Sequence, residues 1–351
     1  MPPSPASRSR TAPLWLVVAV LAAYANALGG AFQFDDYNVI VRQSAVHSLH
    51  AWWQSMPGIR PLLKLSYAAN WALDASALGF CAVNLAVHGV NTLLVWQLLR
   101  RLAPRLGADA GASAAGSAAF IVAAIFALHP AQTEAVTYIS GRSVSLMALF
   151  ALGSVCAWLK ADDGQQPAAW RAASATLFLA ALTVKENAWA LPLALWLCDA
   201  LRRDFAWRSS LARGAWHGAA LIGFGVWLLL VPAYGRLLQT SLQTRSLAEN
   251  LLTQVNGVFY LITRPLLALA VNIDPDLHVY RTLTPGLAAK ACALAALIVL
   301  ALWSWRRCTA SRWLAFGIAW FAVWLLPTNS FLPRLDVAND RQLYLACWGL
   351  F

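Results

Sequence analysis

The chain has 351 residues, of which 60% are apolar and 12% are charged, and its formal net charge is +11. A soluble globular protein is nearer half apolar and a quarter charged. Together with a mean hydropathy of +0.58, the composition therefore predicts an all-α polytopic membrane protein. The basic residues lie between apolar segments and form no stripe interleaved with aromatic residues, which excludes nucleic acid as a partner.

The first apolar run, Leu14 to Gly30, follows Arg8 and Arg10. The tripeptide Ala25-Asn26-Ala27 resembles the small-residue cleavage site of a signal peptide, and a retained first helix is the alternative. The basic residues before the run place the N-terminus in the cytoplasm in either case. The chain is therefore expected to emerge on the non-cytoplasmic face at Phe34.

Later apolar runs alternate across the bilayer, and basic clusters follow those that return to the cytoplasm, as the positive-inside rule requires. The runs are Val83–Leu99, Ala115–Leu128, Val144–Leu159, Ala172–Val184, Ala188–Leu201, Ala215–Pro232, Gly286–Trp305 and Trp313–Pro327. A spanning helix needs about 20 mostly apolar residues, so we expect about nine to eleven transmembrane helices with long extracytoplasmic loops. A bacterial inner membrane is the expected location.

Residues 251–271 break this alternation, because they are apolar enough to cross but the runs on both sides place their ends outside. We expect a re-entrant, interfacial or hairpin segment within an extracytoplasmic region that spans 233–285. The other long extracytoplasmic segments are the first loop, 34–82, and residues 328–340. Long loops on one face indicate that chemistry or recognition happens there.

Two adjacent carboxylates, Asp35 and Asp36, follow the first helix directly. At a membrane–water boundary such neighbours raise each other's pKa, and burial raises it further. One can then act as a general base while the other holds a substrate hydroxyl or a metal ion. A solvated helix end is the alternative interpretation.

A second polar block runs from His129 to Arg142 between two apolar runs. Glu134 and Arg142 are two helical turns apart, near the same boundary as the acidic pair. Pro130 and Gly141 are natural helix breakers, so an ordinary capped turn is the alternative. Ionisable residues at membrane level tend to be functional, which makes this block a candidate substrate site.

Lys185 and Glu186 interrupt what would otherwise be one long apolar stretch. A charged turn outside the membrane is one interpretation. The alternative is that the lysine pairs with a phosphate as a compact point charge. Further cations assigned to the outside are Arg60, Lys64, Arg264 and Arg341. Positive charge there opposes the topological bias, and a phosphate-bearing lipid headgroup accounts for it.

Metal ligands are sparse in the sequence. His47 and His50 have a spacing that can grip a metal ion, but no third ligand matches, and a polar loop is the alternative. The six cysteines are isolated from one another, so neither a zinc site nor a disulfide framework is indicated. A divalent metal cofactor is left open and is not indicated.

Several of these motifs occur in a familiar order. They are Phe34-Asp35-Asp36, Arg60-Pro61, Asn84 with His88 and Asn91, His129-Pro130 with Glu134-Ala135-Val136 and Ile139-Ser140-Gly141-Arg142, Lys185-Glu186, Asn272-Ile273-Asp274, and Asp340-Arg341 with Tyr344-Leu345. The series resembles the transmembrane and tetratricopeptide-repeat O-mannosyltransferases and their bacterial relatives, within the GT-C superfamily of membrane glycosyltransferases. The block from His129 to Arg142 is its most specific part.

The resemblance implies a GT-C-like bundle that moves a sugar from a polyprenyl-phosphate donor to a protein hydroxyl group. Asp35 and Asp36 would be the catalytic and acceptor-orienting carboxylates. The residues implied in binding the donor phosphate or substrate are Arg60, His129, Glu134, Arg142, Lys185, Glu186 and Arg341. An inverting displacement is expected.

The chain departs from the family pattern in two ways. No helical repeats follow the membrane domain, and the chain stops at Phe351 within a further helix that is expected to open at Leu343. Two other functions therefore stay open. One is a transporter or flippase for a lipid-linked sugar, which predicts inverted repeats and broken helices. The other is an inactive scaffold.

Overall fold

The computed structural model describes residues 5–102, 111–163, 166–203, 207–267, 275–307 and 309–351, and this part of the chain contains helices and turns without a strand. The α-helices are α1 (Pro5–Tyr24), α2 (Leu49–Gln54), α3 (Pro61–Leu73), α4 (Ala77–Leu102), α5 (Gly111–Leu128), α6 (Thr133–Thr137), α7 (Arg142–Asp163), α8 (Pro167–Val184), α9 (Leu191–Arg203), α10 (Trp207–Arg213), α11 (Ala215–Leu230), α12 (Pro232–Thr244), α13 (Leu247–Leu267), α14 (Pro285–Arg307) and α15 (Thr309–Leu325). The all-α class is confirmed.

Five stretches in the described residues are long and apolar enough to cross a membrane: Thr11–Gly29, α4, Ile139–Asp162, α8 and α14. Two bent pairs raise the number to seven if each is one span. In one pair α5 continues into Pro130–Thr137 at 55°, and in the other α11 continues into α12 at 84°. The protein is thus a polytopic membrane protein.

Seven is fewer than the nine to eleven helices expected from the sequence. The difference comes from short elements, since α9 has only 13 residues and is about 20 Å long, less than a hydrocarbon core of about 30 Å. Helix α15, with 17 residues, is also short.

Helix α7 lies at the centre of the bundle and packs against α4, α8 and α9. Of its apolar membrane-spanning stretch, 78% is buried. Small residues on α7 permit close approach, and Ser154 exchanges hydrogen bonds with Ser174 of α8 at 2.7–3.0 Å. Helix α14 lies at the edge of the bundle, where only 6% of its apolar stretch is buried and several large apolar side chains are exposed.

The segment 34–82, expected to be a long loop, is largely helical. It contains a π-turn at Tyr37–Val41, helices α2 and α3, and the start of α4. Buried residues of α3, among them Tyr67 and Asn70, pack it against the bundle.

Helix α13 covers most of the segment that breaks the alternation of spans. It is one helix of 21 residues with Pro265 inside it, so the described part does not form a hairpin. Its buried face includes Asn250, Thr253, Gln254 and Asn256. Because of these polar residues, α13 is not among the helices that are apolar enough to cross a membrane. Residues 268–274, which include Asn272-Ile273-Asp274, lie outside the described part.

A helix was also expected to open at Leu343. Instead, Asp340–Leu343 and Cys347–Leu350 form two short 3₁₀ turns. Trp320 donates a hydrogen bond from Nε1 to the carbonyl oxygen of Leu345 at 2.8 Å, which holds this segment against α15.

A buried network of ion pairs lies at the C-terminal end of α7. The carboxylate of Asp162 lies 3.0 Å from Arg202 and 2.9 Å from Arg213, and Arg213 also pairs with Asp199. The network ties α7 to α9 and α10. Helix α7 has 22 residues, so this end lies about 33 Å from Arg142 at its start.

We expect Asp162→Asn to lower the free energy of unfolding by about 3–5 kcal/mol, because it leaves two buried guanidinium groups without their shared carboxylate. Denaturant unfolding of the detergent-purified protein measures it. The exposed Asp276 is the matched control, and Asp276→Asn should change stability by less than about 0.5 kcal/mol. Equal stability of the two variants would contradict a structural role for the network.

Candidate functional site

The candidate site is built around the start of α7. A 3₁₀ turn, Ile139–Gly141, leads into the helix, and its close contact with α6 requires glycine at 141, where a Cβ would lie 2.5 Å from the carbonyl oxygen of Glu134. The N-terminal end of a helix carries a partial positive charge and free N–H groups. Anionic groups are therefore favoured here.

The structure separates the two adjacent carboxylates. Asp36 is buried, and its Oδ1 accepts hydrogen bonds from the Ser140 backbone N–H at 2.8 Å and from the Ser140 hydroxyl. Its Oδ2 accepts from the N–H of Gln33 at 2.9 Å. Burial raises the pKa of Asp36, and the Ser140 hydrogen bonds oppose that rise. Asp36 thus anchors the start of α7.

Asp35 is exposed, and its backbone N–H donates to the Tyr138 hydroxyl at 3.0 Å. Its carboxylate accepts no hydrogen bond from any residue that the structure describes. The preceding Phe34 has φ 42°, a left-handed conformation that non-glycine residues seldom adopt. The turn therefore presents the Asp35 carboxylate to solvent while it buries that of Asp36.

Arg142 is fully buried in a cage of neutral acceptors. Its Nε donates to Asn84 Oδ1 at 2.7 Å, and its Nη2 donates to Asn70 Oδ1 at 2.7 Å and to the Phe80 carbonyl at 2.9 Å. The guanidinium also lies over the ring of Tyr67 at 5.1 Å. Since its hydrogen-bonding capacity is used within the protein, the geometry favours a structural role for Arg142 over a phosphate contact.

Arg60 and Glu186 form a bidentate ion pair. Arg60 Nε lies 3.0 Å from Oε1, and Arg60 Nη2 lies 2.8 Å from Oε2. Burial acts to raise the pKa of Glu186, but Arg60 more than offsets it and holds that pKa below its ordinary value. Glu186 is therefore committed to Arg60.

Lys185 lies beside this pair, and no carboxylate in the described part of the chain forms an ion pair with it. The residue is buried, with 7% of its surface exposed, and its Nζ donates a hydrogen bond to the Ser143 hydroxyl at 3.3 Å. Burial lowers the pKa of Lys185 well below its ordinary value, and the positive charges of Arg60, Arg341 and Arg334 lower it further. A buried amine among guanidinium groups favours an anionic ligand.

A small, partly open pocket lies next to Lys185. The lining residues with polar side chains include Lys185, Asn187, Trp324, Arg334, Arg341 and Gln342. Arg334 was not singled out from the sequence. Its position in the same outside segment as Arg341 was the only available signal. Burial lowers the pKa of Arg334 to about 10, with Arg341 adding to the effect.

Glu134 holds the turn that carries Arg341. Its Oε2 accepts from the Arg341 backbone N–H at 2.8 Å, and its Oε1 lies 3.4 Å from Arg341 Nε. Arg341 also lies 3.4 Å from Asp336. Glu134 is 2% exposed at its side chain, so it positions this turn and does not face solvent.

His129 caps a turn. Its Nδ1 accepts a hydrogen bond from the Ala131 N–H at 3.1 Å, which leaves Nε2 to donate to the Pro265 carbonyl at 3.1 Å. Both ring nitrogens therefore contact backbone groups of the protein in this structure.

Two serines at the start of α7, Ser140 in the 3₁₀ turn before the helix and Ser143 in its first turn, contact the acidic pair and the cationic pocket respectively. Ser140 binds Asp36, and Ser143 binds Lys185. Residues three apart on a helical turn have Cβ atoms about 5–6 Å from each other. The carboxylates and the pocket cations therefore share one end of the bundle, as the sequence blocks suggest.

Other motif residues form a buried polar network that packs the bundle. His88 Nδ1 lies 2.7 Å from the Tyr344 hydroxyl, and Asn91 donates to the same oxygen at 3.0 Å. His47 is occupied by the Ile40 carbonyl and stacks on Trp71. Among the residues that the structure describes, no three His, Cys, Asp or Glu side chains group closely enough to hold a metal ion.

Curated proteins match the chain by sequence. A Caenorhabditis elegans protein O-mannosyl-transferase is 30% identical over 163 residues, 42% of this chain and 23% of that protein. Protein O-mannosyl-transferase TMTC3 of Mus musculus is 26% identical over 184 residues, 48% of this chain and 19% of that protein. Tmtc2 of Drosophila melanogaster is 31% identical over 201 residues, 51% of this chain and 20% of that protein.

The resemblance stated from the motifs is confirmed, since these matches cover about half of the chain. The chain spans about a fifth of the length of these curated relatives. No protein-family profile and no solved structure matches it.

The cage around Arg142 generates a prediction. Arg142→Lys keeps the charge but loses the planar fork that reaches Asn84 and Asn70 together. We expect the free energy of unfolding to fall by about 1.5–3 kcal/mol, the contribution of a hydrogen bond to a charged group. Ligand binding by the folded protein should be unchanged. The exposed Arg281 supplies the control Arg281→Lys, which should leave the melting temperature unchanged. Normal melting with a selective loss of phosphate binding would instead assign Arg142 to the ligand.

Proposed function

We propose that this protein is a membrane glycosyltransferase that moves a sugar, mannose by analogy with its relatives, from a polyprenyl-phosphate donor to a protein hydroxyl group. The observation that carries the proposal is a cationic pocket at the same end of a membrane bundle as an exposed carboxylate, Asp35. The names of the relatives support the same reaction class. The site is proposed to face the non-cytoplasmic side, with the N-terminus in the cytoplasm.

The pocket cations suit a phosphate that stays anchored in the membrane by its lipid tail. Arg334 and Arg341 can each offer a fork of N–H donors, and Lys185 adds a point charge. Glu186 and Glu134 are already engaged by Arg60 and Arg341. Among the described residues, no carboxylate lies within ion-pair distance of Lys185 or Arg334, so these two side chains are the ones proposed to receive the charge of an incoming phosphate.

In the proposed step, the acceptor hydroxyl oxygen forms a bond to the anomeric carbon. The bond between that carbon and the phosphate oxygen breaks, and its electron pair stays on the phosphate. The hydroxyl proton passes to the Asp35 carboxylate, which acts as general base. The charge that develops on the leaving phosphate is stabilised by the pocket cations. A single displacement of this kind inverts the anomeric centre.

Asp36 has a different part in this proposal. Its carboxylate is hydrogen-bonded to Ser140 and Gln33 and has no oxygen turned to solvent. It is a positioning residue that holds the turn in which Asp35 is presented.

Replacing each carboxylate tests this division of roles. Asp35→Asn should reduce sugar transfer by about 100-fold or more, the lower range for losing a positioned base, with melting temperature and donor binding unchanged. Asp36→Asn should lower the melting temperature. The amide NH₂ group of asparagine would face a backbone N–H group whose hydrogen bond the carboxylate oxygen accepts in the wild type. Transfer assays and melting curves on the same preparations measure both. Normal transfer by Asp35→Asn would refute its role as base.

Binding of sugar-free polyprenyl phosphate should depend on pH. Burial lowers the pKa of Lys185 in the empty site, and a bound anion raises it again by favouring the ammonium form. Binding therefore takes up a proton between these two pKa values, so affinity falls as the pH rises through that interval. The test is made above about pH 7, where the phosphate itself is already dianionic.

In Lys185→Met we expect binding about 10- to 150-fold weaker and no dependence on pH in that range. The exposed Arg236 provides the control, and Arg236→Met should bind and titrate like the wild type. An affinity of the wild type that is constant over this range, or that Lys185→Met leaves unchanged, would contradict the phosphate site.

A further inference from the structure

Helix α12 departs abruptly from the direction of α11. It begins at Pro232, and the axes of the two helices differ by 84°. With 13 residues, α12 is about 20 Å long, and at this angle it advances only about 2 Å along the direction of α11. Spanning helices are tilted by about 20° from the bilayer normal on average. The apolar α11 therefore supplies the crossing part of this pair, and α12 runs close to the plane of the membrane.

One side of α12 contacts the bundle, and the flank next to it carries leucines. The Tyr234 hydroxyl accepts a hydrogen bond from the Arg60 backbone N–H at 3.2 Å, and the Ser241 hydroxyl donates to a backbone carbonyl oxygen. Leu238 and Leu242 are one helical turn apart on the neighbouring flank and are 47% and 57% exposed. The part of the chain that the structure describes thus leaves about half of each leucine uncovered.

The opposite face of α12 is polar and carries no acidic side chain. Arg236, Gln239 and Gln243 are exposed on it at spacings of three and four residues. Neither α11 nor α12 contains an aspartate or a glutamate, so no negative charge on them opposes approach to the anionic phosphates of a lipid surface. Leucines on one side and polar side chains on the other are typical of a helix that lies in the membrane interface.

Exposed apolar side chains are present on both sides of the bend. The last two residues of α11, Leu229 and Leu230, are 86% and 73% exposed. They lie at the end of the crossing helix, where the bilayer covers them. The exposed leucines of α12 follow within three turns, so the same bilayer is the nearest apolar medium that can cover them. A lipid surface therefore accounts for this flank better than a soluble partner does.

We propose that α12 is an interfacial helix that docks on the bilayer surface, with Leu238 and Leu242 inserted between the lipids and the polar face turned to water. This inference goes beyond the proposed function and does not depend on it. The hydrogen bond between Tyr234 and Arg60 links the docked helix to the site end of the bundle. Docking of α12 thus sets the depth of Arg60 relative to the lipid surface.

Spin labelling of the full chain in nanodiscs of phosphatidylcholine and phosphatidylglycerol tests this docking. The label is attached at Leu242→Cys on the leucine flank and, as the matched control, at Gln239→Cys on the polar face. The background carries Cys292→Ser and Cys308→Ser, and the four other cysteines are buried. Collision rates are measured with molecular oxygen, which partitions into lipid, and with a water-soluble nickel chelate.

We expect the ratio of oxygen to nickel collisions to be at least about fivefold higher at position 242 than at position 239, because only the first label lies in lipid. The pair Leu238→Cys and Gln243→Cys repeats the comparison, so the result does not depend on the folding of one variant. Equal ratios on the two faces, with the nickel chelate reaching both, would place α12 in water and overturn the proposal. Low collision rates with both reagents on the leucine flank would mean that protein, such as a second copy of the chain, covers it, which also overturns docking on lipid.

Discussion

The first residue of helix α7 buries a guanidinium group at the end of an apolar bundle, and this charge constrains the elements around it. Water is scarce there, so each N–H of Arg142 has to find an acceptor in the protein. Asn70 of α3 and Asn84 of α4 supply two of them, which draws three helices together. Gly141 lets the preceding turn approach the backbone of Glu134. The Glu134 side chain in turn accepts a hydrogen bond from the backbone N–H of Arg341, on the other side of the site.

Both ends of the bundle bury acidic and basic side chains, but they differ in whether every basic group is paired with a carboxylate. At the far end, Asp162 and Asp199 lie between arginines and neutralise them. At the site end the carboxylates of Glu186 and Glu134 are engaged by Arg60 and Arg341, and no carboxylate of the described residues lies within ion-pair distance of Lys185. Burial therefore lowers the pKa of Lys185, and a bound anion would favour its charged form again. This difference in pairing is why only one end is proposed to bind an anion.

Two of the three non-glycine residues with positive φ in the described part of the chain lie at the site, and the third, Gln166, precedes α8. Phe34 and Arg60 both adopt positive φ angles, 42° and 51°, and such conformations cost about 1–2 kcal/mol for residues with a side chain. Each lies at a turn that presents a functional group, Asp35 in one case and the pair with Glu186 in the other. The ion pair to Glu186 and the hydrogen bond from the Arg60 N–H to Tyr234 hold the second turn in place. Strain of this kind persists where surrounding contacts over-determine a conformation, as in a preorganised site.

The sequence by itself determined the membrane class, the positions of most long helices and the polar blocks at one end, because these follow from local composition and periodicity. It could not separate Asp35 from Asp36, since neighbours of identical chemistry differ only in which one the fold buries. Nor could it find Arg334. Only the tertiary structure decided which charges are paired, because the deciding partners, such as Ser140 for Asp36, lie more than one hundred residues away along the chain. Pairing across such distances depends on how helices pack, which local periodicity does not encode.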